Sequence, residues 1–160
     1  MRNKIGIDPG LAGAIAILND NDIMVCVFDM PIMAGTGKRQ QVNAAQLAKM
    51  LRNSSGDLKY GGEGLVTAYL ERASAMPRQG VSSMFSFGCS YGIIIGVLST
   101  LRIPTVIVSP RTWKKKAGLI GKEKDAARAL AQQLYPDAEL GRKRDIGRAD
   151  ALLIARFGDA

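Results

Sequence analysis

The sequence predicts an α/β fold on one mixed five-stranded sheet: an antiparallel meander, then alternating helices and strands, with helices on both faces. Three observations carry this reading. Strand-like apolar segments at 4–8, 12–18 and 23–29 follow one another across tight turns. Beyond them, segments of helical period alternate with two further strand-like segments, 65–71 and 105–108. The chain has 160 residues, which suits one core, so a single domain over 1–160 is expected.

Each element has its own signal. Lys4-Ile5-Gly6-Ile7-Asp8 reads as a strand that ends on an acid, and Pro9-Gly10 turns the chain. Ala12–Leu18 and Ile23–Asp29 follow as strands, separated by the polar turn Asn19-Asp20-Asn21-Asp22. Residues 31–42, rich in Gly, Lys and Gln, are expected to be loop. Asn43 is placed to cap a helix reaching about Arg52, with Ala44, Leu47 and Leu51 on one face. After a polar, Gly-rich stretch, the strand 65–71 ends on a second acid, Glu71. A helix is expected over 83–101, then a short strand after Pro104, then helices near 110–116, 122–134 and 147–157. Gly88, Gly92 and Gly96 recur every four residues on the long helix, a face that admits either a same-chain element or a dimer mate at close range.

Composition narrows the chemistry. Apolar residues make up 47% and charged residues 22%, which excludes extended disorder. There is no histidine, so Ser-His-Asp, Cys-His and His-ligated metal chemistry are excluded. Cys26 and Cys89 lie far apart with no CxxC, which removes zinc and thioredoxin-type centres. A net charge of +8 favours a polyanionic partner. Uninterrupted apolar runs are short, so no membrane span is expected. The first residues show neither signal core nor transit pattern, and a cytoplasmic setting in a bacterial or phage-infected cell is expected.

The acids are few enough to weigh singly. Asp8 closes a strand, where open α/β sheets place ligands, or it opens an Asx turn. Glu71 closes another strand. If those strands are neighbours, two carboxylates meet at one sheet edge, which requires a cation between them, and oxygen-only donors select Mg²⁺ or Mn²⁺. The other reading of Glu71 is an exposed partner of Arg72. Asp150, between Ala149 and Ala151 ahead of an apolar run, needs a partner near a buried face. Asp145 is five positions earlier, about 140° away on a helix, so the two cannot share one face; Asp145 caps the last helix or sits in the loop before it.

These segments resemble a known family. Ile5-Gly6-Ile7-Asp8-Pro9-Gly10-Leu11-Ala12-Gly13-Ala14 resembles the first motif of RuvC-like Holliday junction resolvases, and Leu70-Glu71 falls where their second acid does. Gly147-Arg148-Ala149-Asp150-Ala151-Leu152-Leu153 resembles their last motif. The segments from Met76-Pro77-Arg78-Gln79-Gly80 to Tyr91-Gly92, and Ser109-Pro110-Arg111-Thr112-Trp113-Lys114, are most similar to the phage and plastid branch.

The resemblance implies an RNase H-like fold and a homodimer that cleaves four-way DNA junctions with two Mg²⁺ ions per site, Mn²⁺ substituting, and no organic cofactor. It implies metal ligation by Asp8, Glu71 and Asp150, with Asp8 bridging. The position three before Asp150, an acid in RuvC proper, is Gly147 here, and Asp145 is taken as the fourth ligand. Lys114 either holds the scissile phosphate or attacking water, or belongs to a solvated Lys114-Lys115-Lys116 face. Lys38, Arg39, Arg78, Lys114, Lys115, Lys116, Lys122, Lys124, Arg142, Lys143, Arg144 and Arg148 are candidates to track phosphates, each with plain solvation as its other reading. Met76 is a candidate wedge between bases; Met84 and Phe85 are expected in the core rather than in that role.

Two rivals remain. An actin-like kinase needs two such domains, and Ala34-Gly35-Thr36-Gly37-Lys38 lacks the first Walker glycine because Ile32 stands there. A DNA-binding protein without catalysis, the rival of another class, has no need of converging acids.

Overall fold

The computed structural model describes residues 3–35, 37, 39–54, 66–74 and 80–159. In chain order the elements are β1 (Asn3–Asp8), β2 (Ala14–Leu18), β3 (Met24–Asp29), β4 (Ile32–Ala34), β5 (Gln40–Val42), α1 (Ala44–Ser54), β6 (Val66–Glu71), α2 (Val81–Thr100), β7 (Thr105–Val108), α3 (Pro110–Lys116), α4 (Lys124–Leu134), a 3₁₀ turn (Lys143–Asp145) and α5 (Ile146–Phe157). Among the described residues one five-stranded sheet runs β3-β2-β1-β6-β7. β1 pairs antiparallel with β2 and parallel with β6. β7 extends the sheet parallel to β6. The mixed sheet expected from the sequence is present.

Strand alternation sorts the two faces. Ile5 and Ile7 of β1, with Ile15, Ile17 and Leu70, meet Leu47 and Leu51 of α1 and Ile94 and Leu98 of α2. The opposite face carries small residues, Ala14 and Ala16 beside Tyr69, and receives α4 and α5 through Ala127, Ala131 and Ala151–Ala155. Small side chains on this face let α5 lie close to the sheet. At Gly6 they give way to no side chain at all: a Cβ there would fall 2.0 Å from the Ala151 carbonyl oxygen.

Two expectations are corrected. The stretch 31–42 is not simply loop, because β4 and β5 pair into a separate hairpin. Its strands have three residues each, too short for an alternation pattern to show. The long helix, α2, is long and apolar enough by length and composition to cross a membrane, contrary to the sequence reading. Gly and Ser interrupt its apolar runs without making it polar. On the glycine face of α2, left open between a same-chain element and a dimer mate, a Cβ on Gly88, Gly92 or Gly96 would meet nothing within 4 Å.

Candidate metal centre

Two strands and one helix bring the acids together. By alternation Asp8 shares the face of Gly6, and Glu71 the face of Tyr69, which is the face α5 covers. Ile7 is level with Leu70 in the parallel pair β1–β6, so Asp8 and Glu71 stand side by side at adjacent strand ends. Helix α5 crosses this edge. Its Gly147 packs on Ala12 and Gly13 beyond the end of β1, and its Ala151 and Ala155 pack on Gly6 within the strand. Asp150 falls between those two contacts, level with the strand end.

The charges register this meeting. Burial raises Asp8 to about 6, and Glu71 adds repulsion; a long contact from the Gly10 amide and the charge of Lys114 act the other way. Asp150 is raised to about 7, first by burial and then by repulsion from Asp8 and Glu71, with Lys114 opposing. The Oδ1 of Asp150 is buried and has no hydrogen-bond partner. A buried, unpartnered carboxylate oxygen on a group that feels two more carboxylates is an unfavourable arrangement, and a cation would relieve it. All donors are oxygens, which suits a hard divalent ion. As the side chains stand, no three acidic or cysteine groups among the described residues are gathered closely enough to hold a metal.

Helix α3 closes one side. Ser109 caps it, its hydroxyl accepting from the Thr112 amide, and Pro110 occupies its first turn. The Trp113 indole Nε1–H donates to Glu71 Oε1 at 2.8 Å. The Lys114 ammonium lies 5.2 Å from the centre of the Trp113 ring. A cleft of about 280 Å³ opens beside Asp8 and Glu71, walled by Phe87 and Pro110. A second, of about 320 Å³, is lined by Lys114, Lys122, Lys124 and Asp150.

The other candidates stand elsewhere. Asp145 is 2% exposed and its carboxylate accepts from the Arg142 amide at 2.7 Å and from the Arg142 guanidinium at 2.8 Å. Arg142 holds it below the usual carboxylate range. The groups acting on Asp150 are Asp8, Glu71 and Lys114, whereas Asp145 acts on Asp29 and Arg148. In the structure Asp145, the expected fourth ligand, is engaged by Arg142: its carboxylate accepts from the Arg142 amide and guanidinium across the 3₁₀ turn.

Arg148 is likewise engaged within the chain, donating to both oxygens of Asp29 at 2.6 and 3.1 Å. Lys115, Lys143 and Arg144 are exposed, and exposed Lys116 reaches Asp159. Met76, Arg78 and Lys38 lie outside the described residues. Arg39 bonds Ser82 across a cleft between the hairpin and α2. Phe85, expected in the core, is 72% exposed. Its helix turns that side away from the sheet, which a uniformly apolar sequence does not reveal. Sequence reasoning also missed the Trp113–Glu71 bond and the Arg148–Asp29 pair, both made between residues distant in sequence.

No family model matches the chain. One curated relative is the chloroplastic Holliday junction resolvase MOC1 of Chlamydomonas reinhardtii, 30% identical over 150 residues and 83% of this chain. The chain spans only 17% of that protein's length. Among solved structures, T. thermophilus RuvC in complex with a Holliday junction substrate superposes with a TM-score of 0.60 at 14% identity, covering 97% of this chain and 90% of that one. A second Thermus thermophilus RuvC structure gives 0.51 at 13% identity, covering 96% and 90%. These likenesses establish a RuvC fold and agree with the resemblance drawn from the motifs. The cytoplasmic setting expected from the sequence is overturned, because the named relative is a plastid protein. A start without a leader carries no weight in a chain matching about a sixth of its relative.

Proposed function

We propose that this domain is a RuvC-like nuclease that resolves four-way DNA junctions by paired, metal-dependent nicks. The observation that carries the reading is the convergence of Asp8, Glu71 and Asp150 on one sheet end, on the fold of RuvC. A relative that is 30% identical and named a junction resolvase supports the same reading. In it, Asp8, Glu71 and Asp150 would hold divalent cations, Mg²⁺ or Mn²⁺. Such ions supply Lewis-acid activation of a water and neutralise charge on the departing 3′ oxygen.

The chain's own residues do the rest. Asp8 and Asp150, raised by burial and mutual repulsion, give up their protons as the cations bind. Lys114, close enough to bias both acids, supplies positive charge toward the phosphate. The net charge of +8 supports binding along DNA, with Lys115, Lys122, Lys124, Lys143 and Arg144 exposed to meet phosphates. One domain carries one carboxylate cluster, and two nicks related by symmetry need two, so the active unit is a homodimer.

The test is cleavage of a synthetic four-way junction, a fork, a linear duplex and an RNA–DNA hybrid, each with Mg²⁺ or with chelator. Paired nicks in the junction alone, lost with chelator, are expected. Equal cleavage of fork and junction would make it a broader branched-DNA nuclease. Binding without any cleavage would make it a DNA-binding protein.

A further inference from the structure

Trp113 is the single tryptophan of the chain, and it is fully buried. A buried indole N–H needs an acceptor. This one donates to a carboxylate at the end of a strand, 42 positions away in sequence. The same ring carries Lys114 on its face at 5.2 Å. One rigid side chain therefore touches both a candidate metal ligand and the lysine beside it.

The scaffold fixes that side chain firmly. β7 lies beside β6 with Val108 level with Glu71, and the Arg72 amide donates to the Val108 carbonyl at 2.7 Å. Ser109 then caps α3, whose first full turn presents Trp113. The strand end bearing Glu71 and the helix bearing Trp113 are joined by a backbone bond and by the indole bond. Without the latter, the Glu71 side chain keeps its rotamer freedom at a half-buried edge.

We propose that Trp113 is a positioning residue of the carboxylate site: its N–H holds Glu71 Oε1, presenting the second oxygen to a divalent cation, while its ring seats Lys114. This rests on the reading of Asp8, Glu71 and Asp150 as metal ligands. It makes the indole a built-in reporter, because a cation drawn to Glu71 changes the charge its N–H faces.

The experiment needs no DNA. Mn²⁺ binding is followed by loss of the free-ion paramagnetic signal, for the wild-type chain and for Glu71→Gln and Trp113→Phe. The phenyl ring retains apolar packing and removes only the donor and the second ring. Partners of metal ligands typically govern affinity by 10–100-fold. Trp113→Phe is therefore expected to bind Mn²⁺ about ten-fold or more weakly, with its unfolding still cooperative. In the wild-type chain, tryptophan emission is expected to change saturably as Mg²⁺ is added, and not in Asp8→Asn.

Wild-type Mn²⁺ affinity in a folded Trp113→Phe chain would overturn the proposal, as would tryptophan emission indifferent to saturating Mg²⁺. Should Trp113→Phe fail to fold, the emission titration decides alone. If the wild-type chain binds no Mn²⁺, or Glu71→Gln binds it undiminished, the metal reading itself is what fails.

Discussion

The backbone of α5 crosses β1 with Gly6 directly beneath Ala151: a Cβ on Gly6 would lie 2.0 Å from the Ala151 carbonyl oxygen and 2.4 Å from the Ala155 amide nitrogen. Both neighbours are backbone atoms of a helix held by a buried face, so neither yields cheaply. The contact sets the height of α5 over the sheet and with it the distance from Asp150 to Asp8.

Gly6→Ala is accordingly expected to destabilise the chain by about 3 kcal/mol, at the upper end of overpacking. Urea unfolding measures this. Gly141→Ala is the control, because its Cβ meets open space. Equal stability of the two variants would mean that α5 rides higher than the structure has it.

Much of this contact was legible in the sequence, and its limits are physical. Asp8 and Glu71 each end an apolar strand, so their position at an edge followed from pattern alone. Their adjacency did not; it required β1 and β6 to pair, a choice among topologies. Asp150 was legible as a charge embedded among alanines. Asp145 was ambiguous because an acid ahead of a helix suits a cap and a ligand equally, and its bond to Arg142 leaves no local signal in the sequence. Phe85 and the glycines of α2 were ambiguous because an apolar helix looks alike whether its own chain or another covers it. The Trp113–Glu71 bond left no local signal, since it joins a strand end and a helix that only the fold brings together.

The raised acids make metal-free stability fall with pH. Asp8, at about 6, and Asp150, at about 7, hold protons more tightly folded than at their ordinary 3.8. Between about pH 4 and 7 the folded chain binds more protons than the unfolded one, so unfolding becomes easier as pH rises through that window and levels off above it. For Asp8 the span corresponds to about 3 kcal/mol. Asp29 and Asp145, held low by Arg148 and Arg142, act in the opposite sense and only below about pH 4. Thermal melts in chelator are expected to show a lower midpoint at pH 8 than at pH 5. Asp150→Asn should flatten the slope, and Mg²⁺ should restore the midpoint at pH 8. A chelated protein as stable at pH 8 as at pH 5 would contradict the burial of these acids.

The acids separate by phenotype. Asp8→Asn and Asp150→Asn are expected to abolish junction cleavage while leaving junction binding intact, since each removes a ligand and a charge that repels phosphate. Asp145→Asn is expected to retain cleavage within about ten-fold, yet to lose stability by about 1–3 kcal/mol, because it weakens a buried charge-assisted bond to Arg142. Cleavage and melting of the three variants, measured side by side, check this. Abolished cleavage with unchanged melting in Asp145→Asn would return that residue to the metal site.

The dimer is expected to form along α2. Val81 is 85% exposed and Phe85 72% on a helix of 20 residues that carries no charged side chain. An apolar, uncharged helix open to water is unfavourable for a lone domain, and its Gly88, Gly92 and Gly96 face leaves room for a second backbone. An apolar groove of about 330 Å³ between α1 and α2, lined by Ala48, Ile93, Gly96 and Leu101, continues the same surface. A two-fold axis here would bring two copies of the helix together and leave both carboxylate clusters open to DNA. Sedimentation should therefore give a dimer for the free chain, and Gly92→Leu a monomer that still unfolds cooperatively. That monomer should nick one strand of a junction without the paired second cut. A wild-type chain that sediments as a monomer both free and on the junction, yet makes paired nicks, would defeat the arrangement.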